Sequence, residues 1–244
     1  MKDLFSTGSV LYQQARPSYS AEVVDSILQH VAVRELAWDC GAGSGQFTKG
    51  LAPYFQQILA TDLSAEQLAQ APNLDNVRYE QASAEHCPLA DHSVDLITVA
   101  QAIHWFDFAA FYAEVRRVLK PQGHIAIVGY GLIQFEHAEL NQLLQDLYFV
   151  TLKGYWDAER RYIDEEYRSI PFPFQELATP QLFLNYRWSA QQILDYLHTW
   201  SGLKHYQQQH PTHQPCAALH DFFSRHPQQE FALSFPVLLR IGTV

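Results

Sequence analysis

The sequence has 244 residues, of which 48% are hydrophobic and 14% aromatic, and its formal net charge is −10. This composition excludes an intrinsically disordered chain, and the length suffices for one sizeable core. The acidic balance argues against a nucleic-acid partner, and the absence of any ~20-residue apolar run argues against a membrane partner.

The first 130 residues alternate between helix and strand patterns. In chain order we predict a helix over 20–31, a strand over 36–40, a helix over 44–54, a strand over 57–61, a helix over 64–72, strands over 77–80 and 94–100, a helix over 107–119 and a strand over 125–130. The almost unbroken apolar run VDLITVA at 94–100 is typical of a parallel strand that is buried on both faces. The alternation therefore predicts βαβ units and a doubly wound α/β fold with a mostly parallel sheet.

The pattern changes after Tyr130. We predict a helix over 136–152, no regular periodicity over 153–180, a strand over 182–188, helices over 189–200 and 215–226, and a final strand over 231–241. We expect one domain: residues 1–130 form a ligand-binding core, residues 131–230 are insertions that form a lid, and residues 231–244 hold a last strand that rejoins the sheet.

The strongest motif is a glycine turn, DCGAGSGQ at 39–46, which follows a predicted strand and opens a helix. Glycines permit positive φ and let a ligand approach backbone N–H groups, and a helix N-terminus favours negative charge. Asp62 ends the next strand, where a carboxylate can hold both hydroxyls of a ribose. The G-x-G-x-G spacing differs from the dinucleotide fingerprint G-x-G-x-x-G, which argues against NAD or FAD.

This turn resembles motif I of the class I S-adenosylmethionine (SAM)-dependent methyltransferases, and the likeness to methyltransferase type 11 extends over roughly residues 8–130. Segments 62–64 and 94–106 resemble the acidic loop and the fourth-strand motif of this family, and segment 115–123 resembles its R-V-L-K-P-G-G turn. Tyr12-x-x-x-Arg16-Pro17-x-Tyr19 and the His-Trp-Phe run at 104–106 resemble the trans-aconitate methyltransferase-like branch.

The resemblance implies a seven-stranded sheet with an antiparallel last strand beneath a helical lid, and SAM as the cofactor. Ser83 replaces an aspartate that commonly bonds the adenine amino group, so the backbone at Ala84 or the side chain of Glu85 is the alternative contact. The cofactor-binding residues that the resemblance and the motifs imply are Tyr12, Arg16, Asp39, Gly41, Gly43, Gly45, Gln46, Asp62, Leu63, Ser83, Ala84, Glu85 and Gln101.

Methyl transfer is an in-line displacement that requires alignment and exclusion of water. A carboxylate acceptor needs no base because it is ionised at neutral pH, whereas a phenol or an amine benefits from one. His104 is the candidate base, and its alternative role is a wall of the pocket. Gln101 contacts the cofactor or the acceptor, or else caps the next helix.

An acceptor pocket is predicted from aromatic and cationic residues around the carboxyl ends of the strands and in the lid. Arg160 or Arg161 would recognise an acidic acceptor there, unless both belong to a solvated helix face paired with acidic residues. We expect no metal, because His210-x-x-His213-x-x-Cys216 lacks a recognised ligand spacing. The predicted pocket residues are Tyr19, Trp105, Tyr130, Trp156, Arg160, Arg161 and Trp200.

We therefore expect SAM-dependent methyl transfer to a small-molecule acceptor, preferably at a carboxylate oxygen. The alternatives are C- or O-methylation of a lipophilic or quinone-like acceptor and a non-catalytic SAM-binding module that regulates a partner. Three cysteines form no disulfide framework, and the amino-terminal residues lack an apolar segment of signal-peptide length, so we expect a cytoplasmic protein.

Overall fold

The computed structural model describes residues 15–244, so Tyr12, a predicted cofactor contact, lies outside the described residues. The first half of the chain alternates between strands and helices as expected. Its elements are α1 (Ala21–Leu28), β1 (Leu36–Cys40), α2 (Gln46–Leu51), β2 (Gln57–Asp62), α3 (Ala65–Leu68), β3 (Val77–Gln81), β4 (Val94–Ala100), α4 (Phe108–Val118) and β5 (Leu119–Tyr130).

These five strands form a parallel sheet in the order β3-β2-β1-β4-β5. The strand order reverses between β1 and β4, the position at which open α/β sheets bind ligands beyond the strand ends. Neighbouring residues of β4 point to opposite faces of the sheet. Leu96 belongs to the same hydrophobic cluster as Ile27 of α1, and Ile97 belongs to the cluster that contains Val115 of α4. The prediction of a doubly wound sheet is therefore confirmed.

The second half of the chain contributes more helices and four further strands. These elements are β6 (Gln134–Phe135), α5 (Ala138–Gln145), a π-helical turn (Asp146–Thr151), α6 (Arg160–Asp164), β7 (Gln175–Leu177), β8 (Phe183–Ser189), α7 (Ala190–His198), α8 (Ser201–Gln209), α9 (Ala217–Arg225) and β9 (Glu230–Thr243).

The long strand β9 joins the two halves. Its second half runs antiparallel to β5, from Val237 opposite Tyr130 to Thr243 opposite His124, as the resemblance implies for the last strand. Its first half pairs with β8 and β6, and β7 pairs with its end. The sheet of the described residues thus has nine strands where seven were expected, because the segment 131–230 supplies β6, β7 and β8 as well as helices.

Two details differ from the sequence-based prediction. The turn expected at 120–123 lies within β5 as an irregularity, since Leu119 pairs with Val94 but His124 pairs with Leu96. Helix α8 was not predicted, because only Gly202 and Leu203 are buried in it and no apolar periodicity marks it. Within residues 15–244, no helix has both the length and the apolar character needed to span a bilayer.

A buried carboxylate fixes the start of β1 against β4. Asp95 is 4% exposed, and its Oδ2 accepts hydrogen bonds from the backbone N–H groups of Glu35 and Leu36, each at 3.0 Å. Its Oδ1 lies 2.8 Å from Nζ of Lys120, which belongs to the irregular start of β5. One side chain therefore connects β1, β4 and β5 at the end of the sheet that lies away from the ligand-binding edge.

We predict that Asp95→Ala lowers the free energy of unfolding by about 3 kcal/mol, because it leaves two backbone donors without their acceptor and removes the more buried of the two carboxylates that pair with Lys120. Urea denaturation measures the change. The matched control is Asp91→Ala, which removes an ion pair to Arg117 from a side chain that is 69% exposed and should cost at most about 0.5 kcal/mol. Equal losses in the two variants would contradict the assigned role of Asp95.

Candidate functional site

A cavity of about 550 Å³ lies at the carboxyl ends of β1, β2, β4 and β5. The turn wall consists of the lining residues within 41–47, 62–70, 82–84 and 100–106. The distal wall consists of the lining residues within 156–163 and 199–208. The turn wall comes from the parallel sheet, whereas the distal wall comes from the later helices. Arg16, Tyr19 and Tyr130 also line the cavity.

The glycine turn offers a surface without side chains. Gly41, Gly43 and Gly45 all have positive φ, between 55° and 74°. A Cβ on Gly41 would lie 2.5 Å from Cβ of Ala102, so only glycine fits there. The N–H groups of Gly41 and Ala42 both donate to the carbonyl of Thr61. These two residues therefore let a ligand come close to the backbone but do not supply it with free N–H donors.

Asp62 ties the acidic loop to this turn. Its Oδ2 accepts from the N–H of Gly43 at 2.9 Å, and its Oδ1 accepts from the N–H of Ser64 at 2.9 Å. The carboxylate lines the cavity and each oxygen keeps a further acceptor position, so it can also accept the hydroxyls of a ribose. Asp62 thus shapes the turn wall and is available to a ligand.

Asp39 lies beneath the turn wall and does not line the cavity, so its predicted action on the cofactor, directly or through water, stays a prediction. It is fully buried, and its two carboxylate oxygens accept hydrogen bonds from the hydroxyls of Thr48 and Thr98. Burial raises the pKa of Asp39 to about 6, while these hydrogen bonds act to lower it. Asp39 thus connects β1, α2 and β4 beneath the glycine turn.

Other predicted cofactor contacts divide into two groups. Arg16, Gln46, Leu63, Ala84 and Gln101 line the cavity. The residues that do not line it are Gly45, Ser83 and Glu85, of which Glu85 accepts a hydrogen bond from the N–H of Asp107 at 3.2 Å. Of the two alternative residues for the adenine contact, Ala84 lines the cavity and Glu85 does not.

Gln101 sits at the end of β4 in a strained conformation, with φ at 55°. Its Nε2 donates to the carbonyl of Tyr130 at 3.2 Å, and its Oε1 faces the Tyr167 hydroxyl at 3.5 Å. Both ends of the amide therefore meet protein groups, which favours a role in shaping the wall of the cavity.

His104 also lines the cavity and is only 8% exposed. Burial, with a smaller contribution from the nearby guanidinium groups of Arg160 and Arg16, lowers the pKa of His104 to about 3. The imidazole is therefore neutral at physiological pH. A base with so low a pKa is weak, so the geometry favours the pocket-wall role over general base catalysis.

The distal wall contains Trp156, Arg160 and Trp200 of the predicted pocket, and Tyr19, Trp105 and Tyr130 line the cavity as well. Arg161 was predicted beside Arg160 but is exposed outside the cavity, where its Nη2 donates to the Tyr162 hydroxyl at 2.9 Å. The side chains of successive residues in a helix point about 100° apart. Arg160 and Arg161 therefore lie on different sides of the helix, and only Arg160 lines the cavity.

Sequence reasoning missed part of this wall. Lys204, His205 and Gln208 line the cavity from α8, the helix without apolar periodicity, and Thr199 and Ser201 flank its start. Asp157 contributes a negative charge to the same wall. A charged residue on a polar helix carries no local signal of its position, so these residues could be found only from the tertiary structure.

Three buried polar side-chain atoms around the cavity have no hydrogen-bond partner within residues 15–244: Tyr19 Oη, His104 Nδ1 and Trp200 Nε1. An unsatisfied buried donor costs about 1–3 kcal/mol. All three belong to residues that face one space, and a ligand with several oxygen atoms would satisfy them.

Among the described residues, no three His, Cys, Asp or Glu side chains are grouped so that they could hold a metal ion. The rings of His210 and His213 stack 4.9 Å apart, and their nitrogens face Tyr155 and Tyr206. The three cysteines are buried and free.

Residues 38–127 match the family model described as a methyltransferase domain. A Dictyostelium discoideum protein named as a methyltransferase is 38% identical over 203 residues, which cover 82% of this chain and 77% of that protein. A Saccharomyces cerevisiae relative named as a SAM-dependent methyltransferase is 29% identical over 66% of this chain and 57% of its own length. The match to several other curated relatives covers about half of their length.

The fold is shared with a solved structure from Anaeromyxobacter dehalogenans named as a type II methyltransferase. The two chains are 35% identical with a TM-score of 0.87, and the match covers 93% of this chain and 97% of the other. This likeness extends over both walls of the cavity, whereas the family model ends before the distal wall. The chain belongs to the class I SAM-dependent methyltransferases, with SAM as its cofactor.

Proposed function

We propose that this methyltransferase transfers the methyl group of SAM to a carboxylate oxygen of a small acidic molecule. The observation that carries the proposal is the charge around the acceptor side of the cavity. Arg160 and Lys204 line the distal wall, against the single carboxylate of Asp157 in that wall. The neighbouring His104 is neutral and too weak a base to activate a phenol or an amine.

The cavity fits SAM at the turn wall. The Cβ-free surface at Gly41 admits the chain of the cofactor, Asp62 is placed for the ribose, and Arg16 is the cation for the cofactor carboxylate. When bound there, SAM supplies an electrophilic methyl group on a sulfonium sulfur. Leu63 and Ala84 line the same wall and provide apolar surface for the adenine.

The residues of the protein contribute alignment and desolvation. In our proposal, Arg160 binds an anionic group of the acceptor, while Trp156 and Trp200 exclude water from it. A carboxylate is ionised at neutral pH, so no residue must remove a proton. The Tyr19 hydroxyl and Nδ1 of His104 have no partner in the described residues and can orient the acceptor by hydrogen bonds.

The two alternative functions fit this cavity less well. A lipophilic acceptor with no oxygen atom at the distal wall would leave the Nη groups of Arg160 and the buried nitrogen of Trp200 without acceptors, at a cost of about 1–3 kcal/mol for each. A quinone-like acceptor could accept from them through its carbonyl oxygens, but it would leave the positive charge of Arg160 without an anion. A non-catalytic SAM-binding module has no need for a second wall rich in charged and polar groups. We therefore favour an enzyme with an acidic small-molecule substrate.

The direct test is to incubate the protein with SAM labelled in the methyl group and a metabolite extract, followed by mass identification of labelled products. A carboxylate acceptor yields a methyl ester, which mild alkali hydrolyses with release of labelled methanol. Label that survives alkali would contradict ester formation. Absence of any labelled product, despite SAM binding, would favour the non-catalytic alternative.

We predict that SAM and S-adenosylhomocysteine each raise the melting temperature of the protein and that Gly43→Val and Asp62→Ala abolish the shift. A side chain at Gly43 would stand on strained backbone and lie 2.8 Å from Oε1 of Gln67. Asp62→Ala removes the acceptor of the Gly43 N–H in the turn and that of the Ser64 N–H in the acidic loop. Asp75→Ala, at an exposed aspartate in the loop before β3, is the control that should keep the shift. Unchanged shifts in the Gly43 and Asp62 variants would contradict the assigned turn wall.

We predict that kcat/KM for the acceptor, measured with saturating SAM, shows no titration of His104 between about pH 6 and pH 8. His104, with its pKa at about 3, stays neutral across this range, and a carboxylate acceptor stays ionised. Initial rates of labelled methyl transfer measure the profile. An acidic limb with a midpoint near 6.5 that disappears in His104→Asn would instead identify His104 as a base.

We predict that Arg160→Met lowers kcat/KM for the acidic acceptor by roughly two orders of magnitude, because a buried cation that pairs with a substrate anion contributes about 2–5 kcal/mol. Its SAM-induced melting shift should persist, since Arg160 lies in the distal wall. Arg161→Met is the matched control and should retain activity within about twofold. Equal activity of the two variants would remove Arg160 from acceptor binding.

A further inference from the structure

The orientation of Arg160 is set by groups behind it. Its Nε donates to the Tyr148 hydroxyl at 2.7 Å, and that hydroxyl donates to Oδ1 of Asp164 at 2.6 Å. The guanidinium carbon lies 5.3 Å from the ring centroids of both Tyr148 and Trp156. A hydrogen-bond chain and two aromatic faces thus determine where the guanidinium points.

Tyr148 is itself held rigidly. It is 2% exposed, and it lies in the π-helical turn that continues α5, a rare geometry that is frequent at functional sites. The indole of Trp156 donates to the carbonyl of Tyr148 at 3.2 Å and packs over Gly202 of α8. Burial raises the pKa of Tyr148, so its hydroxyl stays protonated and continues to donate to Asp164.

This arrangement uses one edge of the guanidinium and leaves another available. The contacts of Arg160 with Tyr148 and Asp164 both involve Nε, at 2.7 and 3.6 Å. Its two Nη groups have no hydrogen-bond acceptor in the part of the chain that the structure describes, and the residue lines the cavity. The pair of Nη groups forms a fork that fits the two oxygens of a carboxylate through two parallel hydrogen bonds.

We propose that Tyr148 and Asp164 are positioning residues that aim the Nη fork of Arg160 at an anionic group of the acceptor, and that this aim selects a carboxylate over neutral groups of the same shape. The proposal rests on the proposed function of Arg160 in acceptor binding. Because Nε is bonded to the Tyr148 hydroxyl, an acceptor can bond Arg160 only through its two Nη groups. A single neutral carbonyl oxygen then satisfies one arm of the fork and leaves the other unpaired.

The test uses acetate as the carboxylate probe and acetamide as its neutral match, because the two have nearly the same shape. Both are titrated into protein saturated with S-adenosylhomocysteine, so that the Arg16 side of the cavity is filled. Binding is measured by the fluorescence of Trp156 and Trp200, which line the cavity with Arg160. We expect native protein to bind acetate at least about tenfold more tightly than acetamide.

Tyr148→Phe removes the hydroxyl and keeps the ring. We expect it to weaken acetate binding about tenfold, to leave acetamide binding unchanged and to keep the melting shift by SAM. The control is Tyr112→Phe, which loses a tyrosine hydroxyl bonded at 2.6 Å to the carbonyl of Pro171 away from the cavity and should bind acetate like native protein. Native-like acetate binding by Tyr148→Phe would overturn the positioning role.

Two substitutions at Asp164 separate orientation from charge. Asp164→Asn keeps an oxygen that accepts from the Tyr148 hydroxyl, so acetate binding should stay within about twofold of native. Asp164→Ala removes the acceptor and should behave like Tyr148→Phe. An equal loss in Asp164→Asn and Asp164→Ala would show that Asp164 acts through its charge, which contradicts the proposal.

A measurement without any ligand keeps this proposal distinct from the proposed function. The Arg160 Nε–H should give a slowly exchanging signal in ¹H–¹⁵N NMR of native protein, and this signal should be lost in Tyr148→Phe. If native protein binds acetate selectively and shows this signal, but the metabolite extract yields no labelled methyl ester, carboxylate methylation is refuted and the positioning of Arg160 stands. Equal binding of acetate and acetamide by native protein would refute the selective fork, whatever the extract yields.

Discussion

The site depends on a buried carboxylate beneath the glycine turn. Asp39 at the end of β1 accepts hydrogen bonds from Thr48 of α2 and Thr98 of β4, so one side chain fixes the three elements that meet under the turn wall. Its raised pKa of about 6 means that the ionised form is destabilised by burial, at a cost of about 3 kcal/mol above that pH and none below its unfolded-state value. The fold retains this negative charge directly below the place proposed for a cationic cofactor, where it attracts the ligand through the turn.

The two walls of the cavity have different origins, and β9 holds them together. The turn wall follows from the parallel sheet, whose strand ends converge at one edge. The distal wall belongs to helices that lie between β5 and β9 in the chain. Because β9 pairs with β5 over one half and with β8 over the other, it fixes the later segment to the sheet. Arg240 of β9 reinforces this by donating to the carbonyls of Tyr167 and Ile170, just beyond the helix that carries Arg160.

The features that could be predicted from the sequence are those that local chemistry determines. The run VDLITVA, the glycine turn and Asp62 each carry a signal within a few residues, and each lies where it was expected. Side-chain direction and distant partners are not local. The sequence could not distinguish Arg160 from Arg161, and it could not show that Asp39 accepts hydrogen bonds from Thr48 and Thr98 beneath the turn wall. It also held no sign that the polar helix α8 carries Lys204 into the distal wall.

The charge of the chain explains why an acidic acceptor suits this cavity. The protein is strongly acidic and has only 16 lysines and arginines, yet Arg16, Arg160 and Lys204 line one cavity of about 550 Å³. In the proposed reaction the sulfonium of the cofactor adds a further positive charge opposite the distal wall. Like charges that face one another across a space with little water repel strongly. A carboxylate between them is attracted from both sides, and the same attraction that binds it brings its oxygen toward the methyl group.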